Sequence, residues 1–131
     1  MEVRDDVIPG ADGMAVGLTI HLADEPRAWA VFCHGFKGFR KWGGWEWMGQ
    51  RMARRGITHV AFDFSHNGVA PDSPVEFSRL DLFERNTWSR ELADLSAVVG
   101  WTRKEGLATK AGPVLVGHSK GGATAIMGAE T

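Results

Sequence analysis

Apolar positions along this chain switch between two periods, and the switches mark out its elements. Ala28-Trp29-Ala30-Val31-Phe32-Cys33 is a continuous apolar run, and Ile57-Thr58-His59-Val60-Ala61-Phe62-Asp63-Phe64 is nearly one. Both predict strands covered on their two faces. Between them Trp45, Met48 and Met52 recur at spacings of three and four before Gly56, which predicts a short helix with glycine at its C-terminal cap. A second helix is predicted by Trp88, Leu92, Leu95, Val99 and Thr102 on one face, with Asn86 or Thr87 as N-cap.

The flanking segments complete the pattern. Residues 2–8 and the run Ala15 to Ile20 lie on either side of the turn-prone Pro9-Gly10-Ala11-Asp12-Gly13, as in an antiparallel, hairpin-like start. From Ser65 to about Arg85, with Pro71 and Pro74, the chain reads as a long irregular loop, and such loops usually carry function. After the break at Gly112-Pro113, Val114-Leu115-Val116 predicts a short strand. It runs into Gly117-His118-Ser119-Lys120-Gly121-Gly122 and a small-residue helix, Ala123 to Ala129. Strands alternating with helices predict an α/β fold, a mostly parallel sheet with helices on both faces. No internal repeat or low-complexity linker interrupts it.

Composition narrows the setting. The chain has 131 residues, 44% hydrophobic and 24% charged, enough for a single domain over residues 1–131. Fifteen basic against sixteen acidic residues leave a net charge of -1, which gives no electrostatic reason to expect nucleic acid or an anionic membrane as partner. Arg51, Arg54 and Arg55 read as the solvated face of a helix. The single cysteine, Cys33, excludes an internal disulfide and every multi-cysteine metal pattern, and suits a reducing compartment. No apolar run approaches the roughly 20 residues of a membrane span. The acidic start, Met1-Glu2-Val3-Arg4-Asp5-Asp6, lacks a signal core. The expected location is therefore the cytoplasm.

The chemistry gathers at Gly117-His118-Ser119-Lys120-Gly121. Seventeen glycines and six serines make a chance Gly-x-Ser-x-Gly expected roughly 0.1 times in such a chain, so the string alone is weak. Its context is what counts: a buried strand, a sharp turn with serine at the apex and a helix starting at once form a nucleophile elbow. Gly117 and Gly121 keep Cβ atoms out of the crowded strand–helix contact while Ser119 is held strained and projecting. The helix start aims N–H groups at an oxyanion. Upstream, His34-Gly35-Phe36-Lys37-Gly38 ends a buried strand in a glycine-rich loop able to give a second donor. The backbone N–H groups of Lys120 and Phe36 are the candidate oxyanion donors, with Gly35 in place of Phe36 as the fallback.

Three segments now stand in order: His34-Gly35-Phe36-Lys37-Gly38-Phe39, Phe62-Asp63-Phe64-Ser65-His66-Asn67-Gly68 and Gly117-His118-Ser119-Lys120-Gly121-Gly122. Together they resemble the first half of an α/β-hydrolase, and are similar to bacterial hydrolases related to serine aminopeptidases, acyl esterases and dienelactone hydrolases. The resemblance spans nearly the whole chain. It implies an acyl-enzyme on Ser119, cleaving an ester, thioester or peptide bond of a small-molecule or peptide acyl substrate without cofactor or metal. The dienelactone hydrolases use cysteine at the elbow, where this chain has Ser119.

That resemblance also shows what the sequence lacks. In the family the triad acid and histidine follow the elbow, and Lys120 to Thr131 hold no histidine, no Asp and only Glu130. A serine without a base is a poor nucleophile, so the chain reads as truncated shortly after the elbow and inactive or nearly so by itself. The strand before the elbow is expected to become a sheet edge, open to self-association. Among the other histidines, His34 and His118 read as structural, His59 as a satisfied core or helix-packing residue, and His66 as a turn residue at the catalytic edge of the sheet. Asp63 reads as loop-fixing and Asp94 as a helix-surface carboxylate. Cys33 reads as core. Trp42, Trp45 and Trp47 read first as core packing and second as walls of an apolar acyl pocket with Phe36 and Phe39.

Two other classes compete. A non-catalytic α/β-hydrolase-like binding domain would keep the fold without the chemistry, but the intact Gly117, Ser119 and Gly121 argue against it. Phosphate binding at Gly117 to Gly122 would need the P-loop spacing, which is absent.

Overall fold

The computed structural model describes residues 1–130. Strands β1 (Glu2–Pro9) and β2 (Ala15–Leu22) form an antiparallel hairpin around a 3-10 turn, Ala11–Gly13. There follow β3 (Ala28–Cys33), α1 (Trp45–Arg54), β4 (Ile57–Phe62), α2 (Leu80–Glu84), α3 (Trp88–Lys104), β5 (Pro113–Gly117) and α4 (Lys120–Gly128). The sheet order is β1-β2-β4-β3-β5, parallel across β4, β3 and β5 and antiparallel across the hairpin side.

The order explains the layers. The crossover from β3 through α1 to β4 steps one way, and that from β4 through α3 to β5 steps back past β3. Right-handed crossovers in opposite directions put their helices on opposite faces. On the α1 face, Gly49 of the helix sits directly over His21 and His59, and Phe32 packs on Trp45. On the other face Val16, Leu18, Ile20, Val31, Val60 and Phe62 form the main core with Leu95, Val98 and Ala125 of α3 and α4. No described helix is long and apolar enough to cross a membrane.

Several local expectations need correcting. The stretch from Ser65 to Arg85 holds one short helix, α2. Helix α4 begins at Lys120, directly after the serine, because the turn hydrogen bonds start there. On α3 the buried set is Glu91, Asp94, Leu95, Val98 and Thr102, one residue round from the predicted face. Two buried carboxylates widen that face, and their hydrogen-bond partners make it habitable for charge. Thr87 is the N-cap, its Oγ1 accepting from the Arg90 N–H at 3.2 Å. Gly56 follows α1 as expected, donating to Ala53 O. Asp94 is fully buried, not a surface group. It accepts from the Ala11 N–H (2.7 Å), the Ser65 N–H (2.8 Å) and Ser65 Oγ (2.9 Å), tying the hairpin turn, the end of β4 and α3 together.

Candidate active site

The parallel register of β3 and β5 puts Cys33 opposite Gly117, so the two strands end level and their following loops meet. His118 N–H donates to Cys33 O at 3.1 Å across the gap. The backbone is too close there for side chains. A Cβ at Gly35 would lie 3.1 Å from His118 O and 3.2 Å from Ser119 Cβ. One at Gly121 would fall inside the carbonyls of Cys33 and His34, and one at Gly117 on the backbone of Gly121 and Gly122.

Ser119 occupies the N-cap of α4 at φ 55 and ψ -122, one of three non-glycine residues with positive φ among the described residues. A residue held there carries about 1–3 kcal/mol of strain. An N-cap serine ordinarily turns its oxygen back onto the helix amides, whereas Ser119 makes no such side-chain bond. The turn is closed by backbone alone, Gly121 N–H to His118 O and Gly122 N–H to Ser119 O, both 2.9 Å. Ser119 is solvent-exposed. Among the described residues, neither its hydroxyl nor the N–H groups of Lys120 and Phe36 have a hydrogen-bond partner. The site therefore presents a free hydroxyl and unclaimed donors from two loops brought together at Gly35.

The loop after β3 is pinned from below. His34 is buried, its Nδ1 2.8 Å from Gly35 O and its Nε2 3.3 Å from the Phe64 N–H. These partners assign the proton to Nδ1, and burial lowers the pKa and keeps the ring neutral. Asp63, at the end of β4, accepts from the Arg40 N–H at 2.6 Å and forms a fully buried ion pair with its guanidinium. Arg40 Nε also donates to Thr19 Oγ1 at 3.0 Å, and Asn67 Nδ2 to Gly38 O at 2.6 Å. Asp63 is thus a loop-fixing carboxylate, and Arg40 and Asn67 are its unforeseen companions. An arginine amid glycines and aromatics gives no local sign of burial.

A second anchor went unread in the sequence. Glu91 of α3, buried, accepts from Lys120 Nζ (3.0 Å), Thr124 Oγ1 (3.1 Å) and Asn86 Nδ2 (2.8 Å). Lys120 Nζ also sits over the Trp88 ring at 4.7 Å. The side chain next to the serine thus clamps α4 to α3 while its N–H stays free. Glu91 standing four before Leu95 was the available signal.

Among the described residues no histidine hydrogen-bonds Ser119. His118 turns its ring to Trp45, 5.1 Å away, and His66 Nδ1 meets Ser65 Oγ at 2.8 Å. His59 is buried beneath α1, with Gly49 directly over its ring, so it is the helix-packing residue of the two expectations; among the described residues neither ring nitrogen has a hydrogen-bond partner. Burial pushes the Cys33 thiol up to about 12, which leaves it inert. Trp42 and Trp47 are not core: they are 54% and 63% exposed, and Trp45 is half-buried. Two concavities lie elsewhere. One, of about 870 Å³, runs between α3, α4 and β5; the other, of about 980 Å³, is lined by charged residues around Arg27 and Arg54. Neither includes Ser119 or Phe36.

Residues 30–130 match the model of the alpha/beta hydrolase family. No curated protein matches. Among solved structures, an α/β serine hydrolase without lid from Xanthomonas campestris is 20% identical with a TM-score of 0.75, over 99% of this chain and 56% of that one. A thermostable carboxyl esterase from Bacillus coagulans gives 16% and 0.76, over 100% and 41%. A puromycin-hydrolysing peptidase from Mycobacterium tuberculosis gives 19% and 0.74, over 97% and 20%. The chain spans about half the length of the first two or less, and at such identities the likeness is one of fold.

Proposed function

The chain belongs to the alpha/beta hydrolase family, and from that premise we propose that it is the nucleophile-bearing part of a serine hydrolase acting through an acyl-enzyme on Ser119. The observation that carries the reading is a strained N-cap serine whose hydroxyl forgoes its helix beside the unclaimed N–H groups of Phe36 and Lys120. Strain of this kind persists only where surrounding structure imposes it, and clusters at reacting centres.

Ser119 Oγ attacks the carbonyl carbon of an ester, thioester or amide and passes its proton to a base. The carbonyl π pair becomes an oxyanion facing the N–H groups of Phe36 and Lys120. Collapse expels the alcohol, thiol or amine, which takes that proton. Water then attacks the acyl-serine by the same route, releasing the acid and restoring Oγ–H. The base and its orienting acid are assigned to residues outside these 131, in the order serine, acid, histidine. Alone, the 131-residue chain is expected to be nearly inactive.

Fluorophosphonate labelling tests this on the protein in the longer form that the reading requires, beside the 131-residue chain and the Ser119→Ala variant. An adduct at Ser119 in the longer form only is the expected result. A folded longer form that takes no label would return the site to a binding role, the reading that the unpartnered hydroxyl of Ser119 otherwise favours.

A further inference from the structure

At the end of the sheet away from Ser119, a cleft of about 980 Å³ opens between the loop entering β3, the last turn of α1 and the turn into β4. Arg27, Arg54 and Arg55 all line it. Arginines near the end of a helix ordinarily serve its open carbonyls. Here the carbonyls of Met52 and Ala53 already accept from the backbone N–H groups of Arg55 and Gly56, both at 3.0 Å, and Arg55 O accepts from Arg27 Nη2 at 2.7 Å. Among the described residues the guanidiniums of Arg54 and Arg55 have neither a hydrogen-bond nor an ion-pair partner. Arg27 is set in place by its own N–H, which donates to Gly56 O at 2.8 Å. A Cβ on Gly56 would lie 2.9 Å from Arg27 Nε, so the missing side chain there opens the space across which the guanidinium lies.

Charge selects the occupant. The chain as a whole carries a net charge of -1, so three guanidiniums on one cleft are a local concentration. Of the two carboxylates in the lining, Asp24 is taken by the Met1 amino group at 2.9 Å, and Glu25 alone faces the three cations. Guanidinium forks pair bidentately with phosphoryl oxygens. A single phosphate would leave most of the volume empty and satisfy at most two forks, whereas two linked phosphoryl groups offer acceptors and charge enough for three. A nucleic acid would need a basic stripe, and the balanced charge of the chain supplies none. We propose that this cleft binds a small molecule carrying a diphosphate group. Arg27 immediately precedes β3 and Cys33 ends it, so the cleft lies about 20 Å from the Ser119 corner. The site is therefore separate from Ser119 and does not rest on the hydrolase reading.

Inorganic pyrophosphate and sulfate, titrated into the 131-residue chain at constant ionic strength and followed by backbone amide NMR shifts, test the site. Pyrophosphate is expected to shift residues 24–28 and 53–57 in a saturable way and to bind roughly tenfold more tightly than sulfate. Arg54→Gln and Arg55→Gln, which remove guanidiniums that hold nothing in the fold, should each weaken pyrophosphate about threefold to tenfold. Arg27→Gln should weaken it at least as much. Arg51→Gln removes a cation of the same helix that lies over Trp47, outside the cleft, and should change the affinity less than about twofold. No saturable shift at these residues, sulfate binding as tight as pyrophosphate, equal weakening in Arg51→Gln, or a short DNA duplex binding there more tightly than pyrophosphate overturns the site.

Discussion

The Cβ of Ser119 would lie 3.2 Å from a Cβ added to Gly35, so the loop after β3 and the turn at Ser119 touch with little room for a methyl group. At 3.1 Å from His118 O and 3.2 Å from Ser119 Cβ the contact is tight, and a small shift of the neighbouring turn relieves it. At Gly121 the obstacle is the carbonyl of Cys33, which is fixed in the β3–β5 ladder. Urea denaturation should therefore rank the two alanine variants clearly: Gly35→Ala about 1 kcal/mol less stable, Gly121→Ala worse by about 3 kcal/mol or failing to fold. Equal midpoints would contradict the packing described.

The buried Arg40–Asp63 pair invites a comparison within the same molecule. Asp63→Ala leaves a guanidinium uncompensated at 3% exposure, expected to cost about 3–5 kcal/mol. Asp81→Ala breaks the exposed pair with Arg79 and should cost far less, because solvent screens it. Similar losses for both would mean that Asp63 does not anchor the loop.

Acid should act through His59. Burial, with His21 adding a smaller push, lowers its folded pKa to about 4, against 6.5 for the free group. As pH falls the unfolded chain takes the proton first, so stability is intact above 6.5 and drains away down to about pH 4. The full loss is about 3 kcal/mol. His21 is lowered too, by burial, and works in the same direction; Asp94, raised by burial, works in the opposite one. Measuring denaturation midpoints of wild type and His59→Leu between pH 7 and pH 4 isolates the contribution. An equally steep curve for the variant would show that His59 is not its source.

Strain at Ser119 predicts a trade. Glycine adopts φ 55 freely, so Ser119→Gly should raise stability by about 1 kcal/mol while abolishing any fluorophosphonate adduct. Calorimetry that finds Ser119→Gly less stable than wild type would remove the argument from strain.

At the far end of the sheet, β5 has a neighbour on one side only. Val114 is 49% exposed, and Ile126 and Met127 of α4 are open as well. The other edge, β1, carries Glu2, Arg4, Asp5, Asp6 and Pro9, the residues that discourage edge pairing. We expect the 131-residue chain to self-associate through β5, seen as concentration-dependent mass in light scattering, and Val114→Lys to shift it toward monomer. A monomer at every concentration would dismiss the idea.

Much of this architecture was legible because burial on both faces leaves unbroken apolar runs at β3 and β4, and because the elbow needs glycines at fixed offsets. What stayed hidden was polar burial. Asp94, Glu91 and Arg40 look like surface residues in a string of letters, and only their partners, brought from distant segments, make their burial tolerable. The tryptophans failed in the opposite direction. Apolar composition suggested core, yet Trp42 and Trp47 stand on the outside of a loop and a helix, the latter with Arg51 laid over its ring.

The pairing of Cys33 with Gly117 joins positions far apart in sequence. A contact of that kind closes a large loop, and the entropy of closure is set against what it gains. Since β5 is held along one side only, the same contacts are the cheapest to undo. Hydrogen exchange should accordingly find the amides from Gly117 to Gly121 released by local openings that leave β4 protected. The corner that carries Ser119 would then be the least durable part of the sheet, with a lifetime set by one strand's grip on its single neighbour.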